Sequence, residues 1–486
     1  MEMNEATVQM IAEMVAKVMA KGKMQEQDSA EPIQCDFRGD CKKNIKQNGI
    51  FTNADEAVQA AHAAQKKLME LTLEERAELI ESIRENTKEN VELLAKMELE
   101  ETGMGRYEDK VRKLLWTIAK TPGTEDIRPE VFSGDYGLTL VEHRPMGVAC
   151  CITPSTGPST TTIHNSICMI AAGNSVVFSP HPNAFKTSIK TVEIINRAIA
   201  TAGGPDNVIT TLSSTSMEMT GELMKHPKLS FILATGGPSV VKAVLCSGKR
   251  AIGAGPGNPP ALVDETADLA NAAKCIIAGS HFENGIQCVG EKEIVVVDSV
   301  ADVLITEMEK NGAYFIRDKA MIDKLTNLVT RPDGSPNKDY IGKDPEIILK
   351  AIGINTTGEV KAITYEAPKD HITVVEEYLM SLLPIVRVKD IDEAIELAVR
   401  YEGGRQHSAI MHSKNVTNMT RFAKAVSSTI FVKNGPSYSG LGLGGEGYMT
   451  LSVAGATGEG LTSPRTFTRP QRCSLIGDFN LRSSTL

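Results

Sequence analysis

Downstream of Val148 the apolar residues fall into an alternating rhythm. Short β-branched or apolar runs at 148–153, 175–178, 208–212, 231–234 and 251–253 predict strands. Between them, at 160–172, 183–202, 216–225 and 239–247, apolar residues recur every three or four positions, which predicts helices. Such alternation builds a parallel sheet with helices on both faces, and ligands then lie at the carboxyl ends of the strands. A second α/β unit runs from about 268 to 452, with strands expected at 294–297, 386–388 and 429–432 and a helix at 391–401.

Upstream the signals are helical. Asn53 with Glu56, and Thr72 with Glu75, are capping-box pairs. They open two helices, the second carrying Leu79, Ile80, Ile83 and Leu93, and a third follows around 110–120. Segments 138–144 and 148–153 read as strands joined at Pro145, either a plain hairpin or a segment that pairs with another subunit. The tail, 457–473, is rich in Thr, Gly and Arg and has no helical period.

Residues 2–21 carry an amphipathic pattern of their own. Val8, Ile11, Val15 and Val18 share one face, while Glu2, Glu5, Glu13, Lys17 and Lys21 largely occupy the other. Such a helix packs on its own body or docks into a groove of another protein. The polar stretch 22–47 that follows breaks the period and acts as a tether, which favours docking.

Chemistry concentrates at 279–298. An amphipathic pattern (Leu269, Ala272, Ala273, Ile276, Ile277) leads into a glycine-containing loop that holds Cys288, and the apolar run 294–297 follows. A thiol on a loop between two rigid elements can face a cleft as a nucleophile. The competing reading is a packed cysteine, the commoner role of that residue.

Composition narrows the classes. A net charge of −9 with no basic stripe argues against nucleic acid as a partner. No apolar run reaches the roughly 18 residues that span a bilayer. The nine cysteines have irregular spacing without metal-ligand motifs, so no metal is expected, and reduced thiols in a cytoplasmic protein fit best.

Three glycine-rich loops compete for phosphate or cofactor contact. Ala234-Thr235-Gly236-Gly237-Pro238 follows an apolar run and opens a helix, a context that offers backbone N–H groups to an anion. The segment 440–445 matches GxGxxG but is not followed by a helical pattern, and reads as a tight backbone passage. The turn 253–260, with three glycines and three prolines, is either a domain crossover or a passage where a flat ring lies against backbone.

Taken together, several motifs resemble the CoA-acylating branch of the aldehyde dehydrogenase superfamily. They are Ile152-Thr153-Pro154-Ser155-Thr156, Ala172-Gly173-Asn174-Ser175-Val176, Phe178-Ser179-Pro180-His181-Pro182, Thr235-Gly236-Gly237-Pro238, the 253–260 turn and the Cys288 loop. Phe431-Val432-Lys433-Asn434-Gly435-Pro436 and Thr457-Gly458-Glu459-Gly460 extend the match. It covers about 49–473, and its details are most similar to the ethanolamine-utilisation enzymes, with the propanediol-utilisation enzymes next.

The resemblance implies a Rossmann-type cofactor domain (48–135 and 148–265), an α/β catalytic domain (266–455), and an oligomerisation arm and tail (136–147 and 456–486). It implies a homo-oligomer, dimer or tetramer, and makes residues 1–21 a targeting helix for the shell or cargo of a bacterial microcompartment. It implies CoA-acylating oxidation of a short aliphatic aldehyde with reduction of NAD. Cys288 would form the thioester, and coenzyme A would be the co-substrate. Carried over residue by residue, Thr156 lies at the oxyanion position. Ser179 and Pro180 lie near the adenosine ribose, Thr235, Gly236, Gly237 and Pro238 at the pyrophosphate, Gly255 in the passage beside the ring, and Glu377 at the nicotinamide ribose. The position of the hydrolytic branch's water-activating glutamate falls on Gly253. The chain departs from the branch at Gly157, where an asparagine is usual, and at Gly285-Ile286-Gln287. By the same resemblance His407 is a structural histidine near the cleft.

Overall fold

The computed structural model describes residues 49–479. The amphipathic segment 2–21 and its tether lie outside these residues.

A six-stranded parallel sheet organises the first half. Its spatial order is Ile50–Phe51, Ile209–Leu212, Ser175–Pro180, Val148–Thr153, Leu229–Thr235, Arg250–Ala254. Strand side chains alternate between faces, so each strand feeds two cores. Cys151, Val176, Phe178, Phe231 and Leu233 pack under helices such as Leu73–Glu89, Pro158–Ala171 and Phe185–Thr201. Cys150, Val177, Ile232 and Ala234 pack under Ala54–Leu68, Met217–Lys225 and Pro238–Leu245. The chain winds outward in one direction from Val148–Thr153, then returns to add Leu229–Thr235 on its other flank. That reversal opens a crevice at the carboxyl edge.

The second sheet has seven parallel strands. They are ordered Ala313–Ile316, Ala362–Glu366, Leu382–Val388, Glu293–Val297, Pro260–Val263, Ser408–His412, Ile430–Lys433. Helices Leu269–His281 and Asp298–Lys310 cover one face, and Ile391–Glu402 and Val416–Val426 the other.

Four expectations change. Strand Pro260–Val263, inside the stretch assigned to the first unit, pairs with Glu293–Val297 and Ser408–His412. The crossover between sheets is therefore complete by Pro259. Strand Gly137–Pro145 forms no hairpin with Val148–Thr153. It lies between Glu130–Gly134 and Thr468–Ile476 in an antiparallel three-stranded arm. The tail thus ends in a nine-residue strand; its residues are exposed except Thr468, so no buried alternation marked it. Finally, the helix that Thr72 caps ends at Glu89, and Asn90 starts a separate helix, Val91–Thr102, which leaves Leu93 42% exposed. Thr72 and Glu75 make both bonds of their box, whereas Asn53 makes the one from its side chain to the Glu56 N–H.

Candidate active site

Cys288 sits where the two sheets face each other. Its loop begins as helix Leu269–His281 ends and runs through a tight turn, Phe282–Gly285. Three successive residues there are left-handed: Glu283 at φ 54°, Asn284 at φ 52° and Gly285 at φ 76°. The two non-glycine residues cost about 1–3 kcal/mol each, so the surroundings must hold them. They do. The Glu283 N–H donates to Asp109 Oδ2 at 3.0 Å, and Asn284 Nδ2 donates to Asp344 Oδ1 at 2.8 Å. Lys292, buried, reaches back with Nζ to the carbonyls of Gly285 at 2.6 Å and Gln287 at 2.9 Å. The segment before Cys288 is thereby clamped from both sides, and strand Glu293–Val297 leads away from it.

The crossover 255–259 runs directly against this loop. A side chain at Gly257 would overlap the carbonyl oxygen of Cys288 and come within 2.9 Å of His407 Nδ1. Gly257 N–H donates to Glu377 Oε1 at 3.3 Å. Cys288, Gly257, Glu377 and His407 therefore share one edge, at the amino ends of second-sheet strands. Asn258 locks the crossover by donating to the carbonyls of Val374 and Tyr401.

Electrostatics set the resting state. Burial, with the Glu377 carboxyl adding to it, pushes the half-buried Cys288 thiol up to about 12, against a pull from Lys292, its own N–H and Lys113. The free protein therefore holds a neutral thiol. Burial lifts Glu377 to about 7, despite Lys292 and the Gly257 N–H. Burial also holds His407 near 4, so its imidazole is neutral. His407 Nδ1 is 2.6 Å from Ser408 Oγ, and Nε2 is buried with no hydrogen-bond partner. A buried, unpaired ring nitrogen carries a desolvation cost that a ligand can relieve. The expectation of a structural histidine near the cleft leaves out its unpaired Nε2, which no local pattern marks; the approach of 255–259 brings His407 close to the Cys288 loop.

Thr156 lies on the turn after strand Val148–Thr153. Its carbonyl accepts from Lys113 Nζ at 3.1 Å, and the same nitrogen is 2.5 Å from Glu283 Oε2. The Thr156 turn and the cysteine loop thus meet through one buried ammonium.

The remaining candidates line the carboxyl edge of the first sheet, as the registers Thr153↔Pro180 and Thr235↔Ala254 require. Gly236, Gly237 and Gly255 each have open space where a Cβ would be, so the backbone is bare along this edge. Gly237 precedes helix Pro238–Leu245, whose first turn has no side-chain cap. Bare backbone leading to uncapped N–H groups fits a dinucleotide pyrophosphate. Within that strip, Gly236 donates its own N–H inward to the Ala254 carbonyl at 3.1 Å, and Thr235 Oγ1 is engaged with Ser452 Oγ at 2.6 Å. Ser179 is buried and paired with Thr220 at 2.9 Å, and the Pro180 carbonyl accepts from Thr215 Oγ1. Any ribose contact there is shared with these two threonines. Gly253 lies in strand Arg250–Ala254, and a Cβ on it would meet Val241 at 2.8 Å. The 440–445 segment leads into no helix and is held by Lys120 Nζ on the carbonyls of Gly442 and Gly445. No cluster of metal-ligating side chains occurs among the described residues.

Comparison with known proteins agrees with this architecture. A family model described as the aldehyde dehydrogenase family matches residues 41–326. The acetylating acetaldehyde dehydrogenase EutE of Salmonella typhimurium is 42% identical over 97% of this chain and 99% of its own length. A propionaldehyde dehydrogenase of Rhodopseudomonas palustris, solved with CoA bound and its cysteine acylated, superposes with a TM-score of 0.88 at 47% identity. It covers 90% of this chain and 100% of that one. A propionaldehyde dehydrogenase from the fucose-utilisation bacterial microcompartment of Clostridium phytofermentans gives the same TM-score and identity over 89% of this chain and 100% of that one.

Proposed function

The chain belongs to the aldehyde dehydrogenase family, and from that premise we propose that it is a CoA-acylating enzyme of short aliphatic aldehydes, acetaldehyde or propionaldehyde. The observation that carries this is the half-buried thiol of Cys288 on a clamped loop, facing a glycine-lined crossover at the junction of two parallel sheets. Cys288 Sγ attacks the aldehyde carbonyl, its proton being released to solvent. The Cys288 N–H and the Thr156 turn stabilise the oxyanion. The nicotinamide dinucleotide, when bound, accepts hydride from the adduct carbon. The acyl group is then left as a thioester on Cys288. The thiol of CoA attacks that thioester and Cys288 leaves as the neutral thiol, the CoA proton ending on its sulfur, while the unpartnered Nε2 of His407 accepts a hydrogen bond from the CoA thiol as it approaches.

Gly237 and the uncapped turn of Pro238–Leu245 hold the pyrophosphate, and Glu377 the nicotinamide ribose. Ser179 and Pro180 are bonded to the hydroxyls of Thr220 and Thr215, with no cation among these partners, which favours NAD over its 2′-phosphorylated form. Gly253 supplies no base for water, so the thioester persists until CoA arrives; losing a general base costs water attack about 10²–10⁴-fold.

The arm supports self-association. Val131 and Phe132 are 59% and 55% exposed on an edge strand, and Ile476 is 74% exposed on the other. Residues 2–21 dock the enzyme into a bacterial microcompartment, in line with the microcompartment origin of one relative. Their deletion releases the enzyme from the shell and leaves activity intact; loss of most activity would show that the helix belongs to the catalytic body.

The deciding assay is NADH formation from each aldehyde with and without CoA. Sustained turnover only with CoA is expected. Steady CoA-independent turnover would favour a hydrolytic enzyme, a reading to which the nearby Glu377 carboxyl lends itself. No NADH under any condition would indicate a silent cargo protein.

A further inference from the structure

The mechanism above uses Cys288 and the Thr156 turn but leaves unexplained four buried charges beside them. Lys110 and Lys113 project from helix Tyr107–Lys120, and both are about 1% exposed. Glu283, fully buried, lies 2.5 Å from Lys113 and 3.2 Å from Lys110. Lys110 also lies 3.5 Å from Glu98, whose other oxygen accepts the Ser159 N–H at 2.9 Å.

The cluster touches both sides of the reaction centre. On one side it grips the Thr156 carbonyl and the Ser159 N–H, the residues that bracket Gly157 and Pro158. On the other it includes Glu283, which also accepts from Gln287, the residue before Cys288, at 3.4 Å. Buried ion pairs add little to stability compared with apolar packing. Three of them among four residues, two of which are bonded to the same turn, point to registration rather than to stability. Glu283 is moreover held left-handed, a backbone state that a glycine would take without strain.

We propose that Lys113 and Glu283 are a positioning pair that sets the separation between the Cys288 loop and the oxyanion-side turn at Thr156. Helix Tyr107–Lys120 is the rigid spacer, and the shared ammonium is the point at which the two loops are tied. Neither residue touches substrate; each acts through the turn it holds. The inference rests on the proposed role of Cys288 for its kinetic arm only.

The test uses Glu283→Gln, Lys113→Met, their double variant, and Lys113→Arg in the full-length enzyme. Each is assayed for NADH formation with CoA, for dinucleotide affinity, and for the rate of Cys288 alkylation by iodoacetamide with no aldehyde present. Each single change is expected to lower kcat at least tenfold, with aldehyde KM and dinucleotide Kd within threefold of the parent. The double variant, which removes both charges, should be no slower than either single one. Lys113→Arg keeps the charge but displaces the nitrogen, and should lower kcat several-fold without loss of folding. Alkylation rates should change along the same series, and this arm stands even if the aldehyde chemistry is wrongly assigned. Additive losses in the double variant, or losses matched by equal losses in dinucleotide binding, would overturn the proposal. If the uncharged variants do not fold, parental kcat and alkylation rate in Lys113→Arg would overturn it alone.

Discussion

Replacing Gly257 with alanine probes the junction at its tightest point. The added methyl would overlap the Cys288 carbonyl oxygen and lie 2.9 Å from His407 Nδ1. Carbon and carbonyl oxygen seldom approach closer than about 3.3 Å. The cysteine loop or the crossover must therefore give way by on the order of 1 Å. Neither is free to do so: Lys292 ties the loop, and Asn258 ties the crossover. Overpacking of this kind costs about 1–3 kcal/mol of stability. A 1 Å misplacement of a reacting group costs about 100-fold in rate. We therefore expect Gly257→Ala to fold with a lowered Tm and to lose about two orders of magnitude in kcat. CoA-dependent NADH formation measures the rate, and thermal unfolding followed by the fluorescence of the single tryptophan, Trp116, measures Tm. A Gly257→Ala enzyme within threefold of the parent kcat would refute the placement of this crossover against the nucleophile.

Other consequences follow from the same geometry. The thiol of Cys288 is held up to about 12, so only a small thiolate fraction exists at neutral pH. Its alkylation by iodoacetamide in the absence of cofactor should rise about tenfold per pH unit from 7 to 10, because the rate follows the thiolate; a plateau below pH 9 would contradict this. Val131→Asp with Phe132→Asp places charge on the exposed edge of the arm, and should shift the mass in sedimentation toward the monomer with the fold intact; an unchanged mass would remove the arm from the interface. Gly253→Glu, combined with Val241→Ala to clear the 2.8 Å contact, should introduce CoA-independent NADH turnover; product that stays strictly CoA-dependent would show that position 253 does not reach the thioester.

The first parallel sheet was largely legible because buried strands leave β-branched runs between helical periods. Val148–Thr153 matches its expected bounds, and the other expected strands of the first sheet differ by one or two residues at an end. In the second sheet Pro260–Val263, Ala313–Ile316, Ala362–Glu366 and Ser408–His412 were not recognised, nor was Ile50–Phe51 in the first; the first of these hides in a proline-rich turn, and none has a β-branched run as long as Ile294–Val297. The arm strand Thr468–Ile476 was invisible because its side chains face solvent. At the site, Cys288 and the glycine strips showed themselves through composition and turn chemistry. His407, Lys113 and Glu283 did not, because each gains its role only from contacts across more than a hundred residues of sequence. Glu283 is the sharpest case: nothing local marks a glutamate that folds left-handed to reach two lysines on a distant helix.

Mass spectrometry of the enzyme after one turnover tests the central claim most directly. Parent enzyme mixed with propionaldehyde and NAD⁺ but no CoA should gain one propionyl group per chain, located on the peptide carrying Cys288, and lose it on addition of CoA with formation of propionyl-CoA. A chain that releases NADH and stays unmodified at Cys288, or that carries the acyl group on another cysteine, would contradict the account.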